Sequence, residues 1–188
     1  MRKNIKPKPL FFPEPVCIIA TYDSYGKPNA MNAAWGGISD TYEIHLCLSY
    51  EHKTVKNILK NKCFTVSCGT EKTYVNCDYI GMISANDNKD KMKNSRLHVI
   101  KSNIINAPLI KELPFALECK LISYDKKTGH TYAKIVNLSV DSKVLTNGKI
   151  DIKKLKPIIF NGETNSYYSI GKKIGNAFKD YNKIAKHN

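Results

Sequence analysis

Residues 26–37, Gly-Lys-Pro-Asn-Ala-Met-Asn-Ala-Ala-Trp-Gly-Gly, constrain the fold more than any other stretch of the chain. The apolar run Val16-Cys17-Ile18-Ile19-Ala20 precedes them, and Tyr25-Gly26-Lys27-Pro28 is turn chemistry. The two runs read as a β-hairpin. Its return strand carries small residues and two asparagines where a core strand would carry Val and Ile. Small side chains let a flat ligand or a second backbone approach the main chain closely. An edge strand with a loose pattern is the plainer reading of the same residues.

Further strand-like runs follow at Tyr42–Leu48, Cys63–Cys68, Ala116–Tyr124, His130–Val140 and Ile158–Phe160, with the hairpin itself read as Val16–Tyr22 and Asn29–Gly36. Thr54–Lys62 has helical spacing through Val55, Ile58 and Leu59. Tyr74–Ile80, Lys89–Lys93 and Gly175–Ile184 are weaker helix candidates. Many short strands with few helices argue for a β-barrel or sandwich decorated by helices. At 188 residues the expectation is one domain, 1–188, with residues 1–15 as an N-terminal arm and 161–188 as a tail packing on the barrel.

A net charge of +14 raises the question of a nucleic-acid partner. The basic residues are almost all lysine; Arg2 and Arg96 are the arginines. Base readout and bidentate phosphate recognition favour arginine, so a nucleic-acid-binding barrel is kept only as a remote alternative. No apolar run reaches the roughly 20 residues that span a bilayer, and the basic N-terminus lacks a secretory core and cleavage site. The expectation is a cytoplasmic protein without a membrane partner. The six cysteines form no CxxC pair, and no metal site is expected. Cys17, Cys47 and Cys119 read as buried small hydrophobes.

Ser49-Tyr50-Glu51-His52-Lys53-Thr54 ends a strand and opens a helix. Unpaired N–H groups, two hydroxyls and the Lys53 charge suit a phosphate there. The alternative is that Ser49 or Thr54 simply caps the helix. Trp35, the single tryptophan, is as well suited to core filling as to a ligand. Glu118 lies in an apolar strand and needs a partner that the sequence does not name.

Several segments occur in a telling order. They are Phe11-Phe12-Pro13-Glu14-Pro15-Val16, the Gly26–Gly37 run, Leu48–Thr54, Asp78-Tyr79-Ile80-Gly81-Met82-Ile83-Ser84, Asp90-Lys91-Met92, Ala107–Ile110, Leu117-Glu118-Cys119, Gly129-His130 and Tyr167-Tyr168-Ser169-Ile170-Gly171. This ordered set resembles the flavin reductase-like family of FMN-binding split barrels, the flavoredoxin group in particular, over nearly the whole chain. The resemblance implies a mainly β fold, an FMN-binding split β-barrel with a few peripheral helices. It implies a homodimer with flavin near the interface. Asn29, Ala30, Met31, Asn32, Ala33, Ala34 and Trp35 would run beside the isoalloxazine. Ser49, Tyr50, Lys53 and Thr54 would hold the phosphate. Ser84 precedes a loop from which Lys91 would reach the ribityl phosphate; the family usually has Ser-Gly where this chain has Ser84-Ala85. Tyr168 would close over the flavin, and His130 would lie near a nicotinamide. The implied work is oxidoreduction, from NAD(P)H through FMN to free flavin, ferric iron or a redox partner protein. A non-enzymatic FMN electron-transfer protein is the alternative.

Overall fold

The computed structural model describes residues 1–185. Its first elements are β1 (Glu14–Pro15), β2 (Cys17–Tyr22), β3 (Pro28–Ala33), β4 (Gly36–Asp40), β5 (Glu43–Cys47) and helix α1 (Lys53–Asn61). Next come β6 (Cys63–Cys68), α2 (Tyr74–Met82), α3 (Lys91–Asn94), β7 (Val99–Lys101) and β8 (Pro108–Ile110). The long hairpin β9 (Phe115–Tyr124) and β10 (His130–Val140) follows. After it lie β11 (Leu145–Thr146), β12 (Lys149–Ile150), α4 (Ile152–Leu155), β13 (Ile158–Asn161), β14 (Ser166–Ser169) and α5 (Asn182–Ala185).

Seven strands form one antiparallel sheet in the order β3-β2-β6-β9-β10-β5-β4, curled into a half-barrel. β1, β13 and β14 make a small second sheet. This is the mainly β split-barrel architecture expected from the sequence. No helix among the described residues is long and apolar enough to cross a membrane.

The hairpin forms as its turn residues dictate. Asp23 Oδ1 accepts from the N–H groups of Tyr25 and Lys27, and Gly26 takes φ +74°. β2 is buried on both faces, which explains its unbroken apolar run. Ile19 enters the barrel core with Leu46, Phe64 and Val66, while Ile18 and Ala20 enter a second cluster with Ile80, Leu97 and Ile110. Helix α1 closes one end of the barrel through Val55 and Ile58. Helix α2 covers the outer side through Cys77 and Ile80.

The run Asn29–Gly36 is not one strand. β3 ends at Ala33 and β4 begins at Gly36. There the chain passes from one edge of the sheet to the other, and Trp35 O accepts from Cys47 N at 2.8 Å. A Cβ at Gly36 would lie 2.5 Å from Leu46 Cδ2, so glycine permits the crossing. The helix expected over Gly175–Ile184 is reduced to Asn182–Ala185, and 171–179 is exposed throughout. No apolar face there packs on the barrel to hold a longer helix.

Trp35 is 54% exposed and does not fill the core. Glu118 has its partners within the chain: Ser102 Oγ and Asn137 Nδ2 donate to the two carboxylate oxygens. Ser102 Oγ in turn accepts from the N–H groups of Ile104 and Ile105, so Glu118 pins that loop to the sheet. Burial pushes Cys17 and Cys119 up to about 12 and Cys68 and Cys77 up to about 11, which keeps them as thiols.

Two glycines separate conformational strain from steric conflict. Gly26 at φ +74° has no atom within 4 Å of an added Cβ; Gly129 at φ +75° would place one 2.7 Å from Leu48 O. Gly26→Ala should cost about 1 kcal/mol and Gly129→Ala at least about 2 kcal/mol, as read from urea unfolding.

Candidate functional site

β3 is an edge strand of the main sheet, so one side of its backbone has no strand partner there. Helix α2 packs against it instead. The approach is close: a Cβ on Gly81 would lie 3.0 Å from Asn32 Cβ. Between these elements a groove follows β3 from end to end.

Its first part, of ≈ 370 Å³, is lined by Lys27, Asn29, Lys53, Asn57, Lys89 and Lys91 among others. A narrower part of ≈ 140 Å³ shares Asn29, Lys53 and Lys91 with it and adds Met31, Asn32, His52, Thr54 and the stretch 80–85. A third part of ≈ 580 Å³ shares Asn32, Gly81 and Met82, and is completed by Ala33, Ala34, Asp78, Phe160, Asn165 and Tyr167.

The polar end of the groove is electrostatically incomplete. Lys91 is 4% exposed and has no carboxylate partner among the ion pairs of the described residues. Burial lowers its pKa to about 8. His52 is also held below the usual imidazole range, by burial first and then by the Lys91 charge. No side chain caps α1 at His52. Ser49 Oγ meets only Glu51 N, at 3.5 Å, and the Thr54 hydroxyl accepts from Asn29 Nδ2 at 2.8 Å. The capping alternative therefore falls, and the helix start remains open to a ligand. Asn29 Oδ1 and Asn57 Nδ2 are buried without hydrogen-bond partners among the described residues. An anion carrying hydroxyl donors would complete all of these groups at once.

The loop that delivers Lys91 is braced on both banks. Asn86 Nδ2 donates to Glu51 O at the start of α1, and Lys27 Nζ donates to Lys89 O from the β2–β3 turn. Ser84 anchors the loop through its carbonyl, which accepts from Asp87 and Asn88. Asparagines and backbone thus hold a loop in which Ala85 stands where glycine was expected.

The apolar end has one polar network. Tyr167 Oη donates to Asp78 Oδ1 at 2.8 Å and accepts from Asn32 Nδ2 at 3.4 Å. Burial and Asp78 push the phenol up to about 12.

The sequence-matched residues divide clearly. Asn29, Met31, Asn32, Ala33, Ala34, Lys53, Thr54, Ser84 and Lys91 line the groove. Ala30 is fully buried in the second core cluster with Cys77 and Ile80 of α2 and does not line the groove. Trp35 lies farther along, beyond Ala34. Ser49 and Tyr50 do not line the groove; Tyr50 sits beside Tyr124 with Lys126 Nζ 4.2 Å from its ring centroid. Tyr168 is 50% exposed and does not line the groove, whereas its neighbour Tyr167 does. His130 lies elsewhere, with Nδ1 3.1 Å from His45 Nε2, in a separate cavity with Tyr124 and Tyr132. His52, Asn57, Asp78, Gly81 and Met82 were not singled out. Each lies within or next to a matched segment, but only packing shows which way it faces.

A sequence profile described as "Flavin reductase like domain" matches residues 10–163. The chain belongs to this family. Flavin-linked oxidoreduction and electron transfer is therefore its field of action. Among solved structures, flavoredoxin of Desulfovibrio vulgaris (Miyazaki F) is 31% identical, with 95% of this chain and 98% of that chain covered and a TM-score of 0.90. Flavoredoxin from Methanosarcina acetivorans is 24% identical, covers 97% and 100%, and has a TM-score of 0.87. An FMN-binding domain of a flavin reductases-like enzyme from Shewanella baltica OS155 shares the fold at 19% identity, 87% and 89% coverage and a TM-score of 0.79. No curated protein matches the chain. The groove pairs an apolar slot with a buried lysine beside an uncapped helix start.

Lys91 has a measurable signature. Its pKa is about 8 in the fold against 10.5 unperturbed. The unfolded chain therefore holds the proton more tightly, and folded stability rises with pH across that window. The four raised thiols act in the opposite sense above about pH 9, so the signature lies in the difference: in urea unfolding, the stability of the wild type relative to Lys91→Met should increase as pH rises from about 8 to about 10.5.

Proposed function

We propose that the groove binds FMN and that the protein is an oxidoreductase taking electrons from NAD(P)H. The observation that carries this reading is the buried Lys91 cation, without a counter-charge among the described residues, beside the uncapped start of α1. Lys53, Lys91, the first N–H groups of α1 and Asn57 would hold the phosphate. Asn29 Oδ1, left without a donor, suits a ribityl hydroxyl. The isoalloxazine would lie along the open edge of β3, between Asn32–Ala34 and Met82, with Tyr167 at its rim. FMN is the flavin named for the Shewanella baltica relative.

When bound, FMN supplies hydride acceptance and onward electron transfer. The chain's own residues bind, orient and exclude water. Lys91 neutralises the phosphate, and Gly81 keeps the slot narrow enough for a flat ring. The Asp78–Tyr167–Asn32 network fixes the donor at the ring's edge. In this reading the protein works in the cytoplasm as a homodimer. Exposed Ile38, Tyr42, Ile122 and Leu138 give a second copy apolar surface to cover. A partner subunit would also be the route by which His130 could approach a nicotinamide.

The rival electron-carrier reading differs in one observable. Purified protein should show flavin bands, and these should bleach on adding NADH or NADPH without oxygen. Bands that persist identify a carrier reduced by another protein. Protein that takes up no FMN overturns the proposal and leaves the basic nucleic-acid barrel to be tested. Loss of a charge-assisted contact predicts that Lys91→Met weakens FMN binding about tenfold or more, measured by flavin fluorescence titration.

A further inference from the structure

We infer that the tail after β14 is a basic amphipathic helix that folds on an anionic lipid surface. This interaction goes beyond the flavin reading and does not depend on what the groove holds. The first observation is the pattern of residues 170–184. Ile170, Ile174, Ala177, Phe178, Tyr181 and Ile184 recur at helical spacing. On a helix turning about 100° per residue they fill an arc of about 120°. Lys172, Lys179 and Lys183 fall on the opposite side, and Lys173 falls at the edge of the arc. This is the layout of a helix that lies in a membrane interface, apolar face in the acyl boundary and lysines at the headgroups.

The second observation is that this face has nothing packed on it. Ile174 is 94% exposed, Phe178 97% and Ile184 79%. Helix forms in the tail only at Asn182–Ala185. Gly171 and Gly175 weaken a helix in water, and a short helix without tertiary contacts is marginal. A surface that takes up the apolar face supplies what is missing.

Charge selects that surface. Within residues 170–184, four lysines against the carboxylate of Asp180 leave a net charge of +3. The whole chain carries +14, so a second copy repels this stretch and an anionic leaflet attracts it. A nucleic acid would meet the lysines but leave the apolar face in water. The N-terminal arm adds a second basic element: residues 1–9 are exposed throughout and include Arg2, Lys3 and Lys6. That arm leads into β1, which shares its small sheet with β14. Two such signals together hold a protein to a surface more firmly than one. A helix lying on the surface needs no apolar run of spanning length. β14 also carries Tyr167, so a docked tail holds the apolar end of the groove near the lipid.

The test uses full-length protein and vesicles of phosphatidylcholine, with or without phosphatidylglycerol. Sedimentation with the vesicles measures binding, and far-ultraviolet circular dichroism measures helix. We expect saturable binding to the anionic vesicles with a gain of helix, at least about tenfold tighter than to the neutral ones. Added salt should weaken it. The double variant Ile174→Ser/Phe178→Ser keeps the charge and removes only exposed side chains, so its fold should stand. It should bind the anionic vesicles about tenfold more weakly and gain no helix. The inference is overturned by absent binding, by equal binding to the two kinds of vesicle, or by a double variant that binds as the wild type does. That last result would mean plain adsorption of a basic chain. Self-association without vesicle binding, abolished in the double variant, would also overturn it and assign the apolar face to a second copy. FMN affinity, followed by flavin fluorescence, should be the same in both proteins, so a failure of the flavin reading leaves this test intact.

Discussion

The close approach of α2 to the open edge of β3 is the constraint on which the site depends. β3 is an edge strand, yet Ala30 and Met31 are buried on its opposite faces. Its free edge is therefore shielded by α2 and the loop after it rather than by another strand. Gly81 lets α2 come in against Asn32, and the small residues of β3 leave a slot rather than a packed contact. An unpaired strand edge invites a ligand's polar atoms as readily as another chain's backbone. The groove is what remains when that edge is covered but not filled.

Electrostatics gives the groove its direction. Among the described residues, one end holds a buried lysine with no counter-charge, an uncapped helix and two unpartnered asparagine atoms. Such groups cost stability in the empty fold, and structures keep them where a ligand offsets the cost. The bracing of the 84–90 loop by Asn86 and Lys27 holds Lys91 in place before any ligand arrives. That preorganisation lowers the ordering cost of binding. The other end is apolar and aromatic, with Glu14 as its buried charge. Polarity thus changes along a single strand in register with what lies opposite it: the start of α1, then α2, then the N-terminal arm.

The sequence made the hairpin, the long β9–β10 pair and helix α1 legible, because each has local causes. Asp23 and Gly26 build the turn, and Val55 and Ile58 set the helical face. Lys53, Thr54 and Lys91 were legible as neighbours of a helix start because they lie in short ordered segments, and the structure brings all three to one groove. Tyr167 rather than Tyr168 lines the groove, since adjacent strand residues face opposite ways and only pairing with β13 decides which points inward. The break after Ala33 was missed because it follows from a crossing to β5, which no local signal encodes. Partners of Glu118 come from residues 102 and 137, far apart along the chain.

By itself, then, the sequence determined the strands, their turns, the family resemblance and the residue types able to hold an anion beside a flat ring. These follow from alternation, turn chemistry and helix periodicity, all of which act over a few residues. Tertiary structure alone decided that Lys91 has no counter-ion among the described residues, that Asn29 spends its amide on Thr54, that Trp35 stays exposed and that Glu14 is buried. Those outcomes depend on which distant segments meet across the edge of β3. Burial and the want of a partner are properties of that meeting.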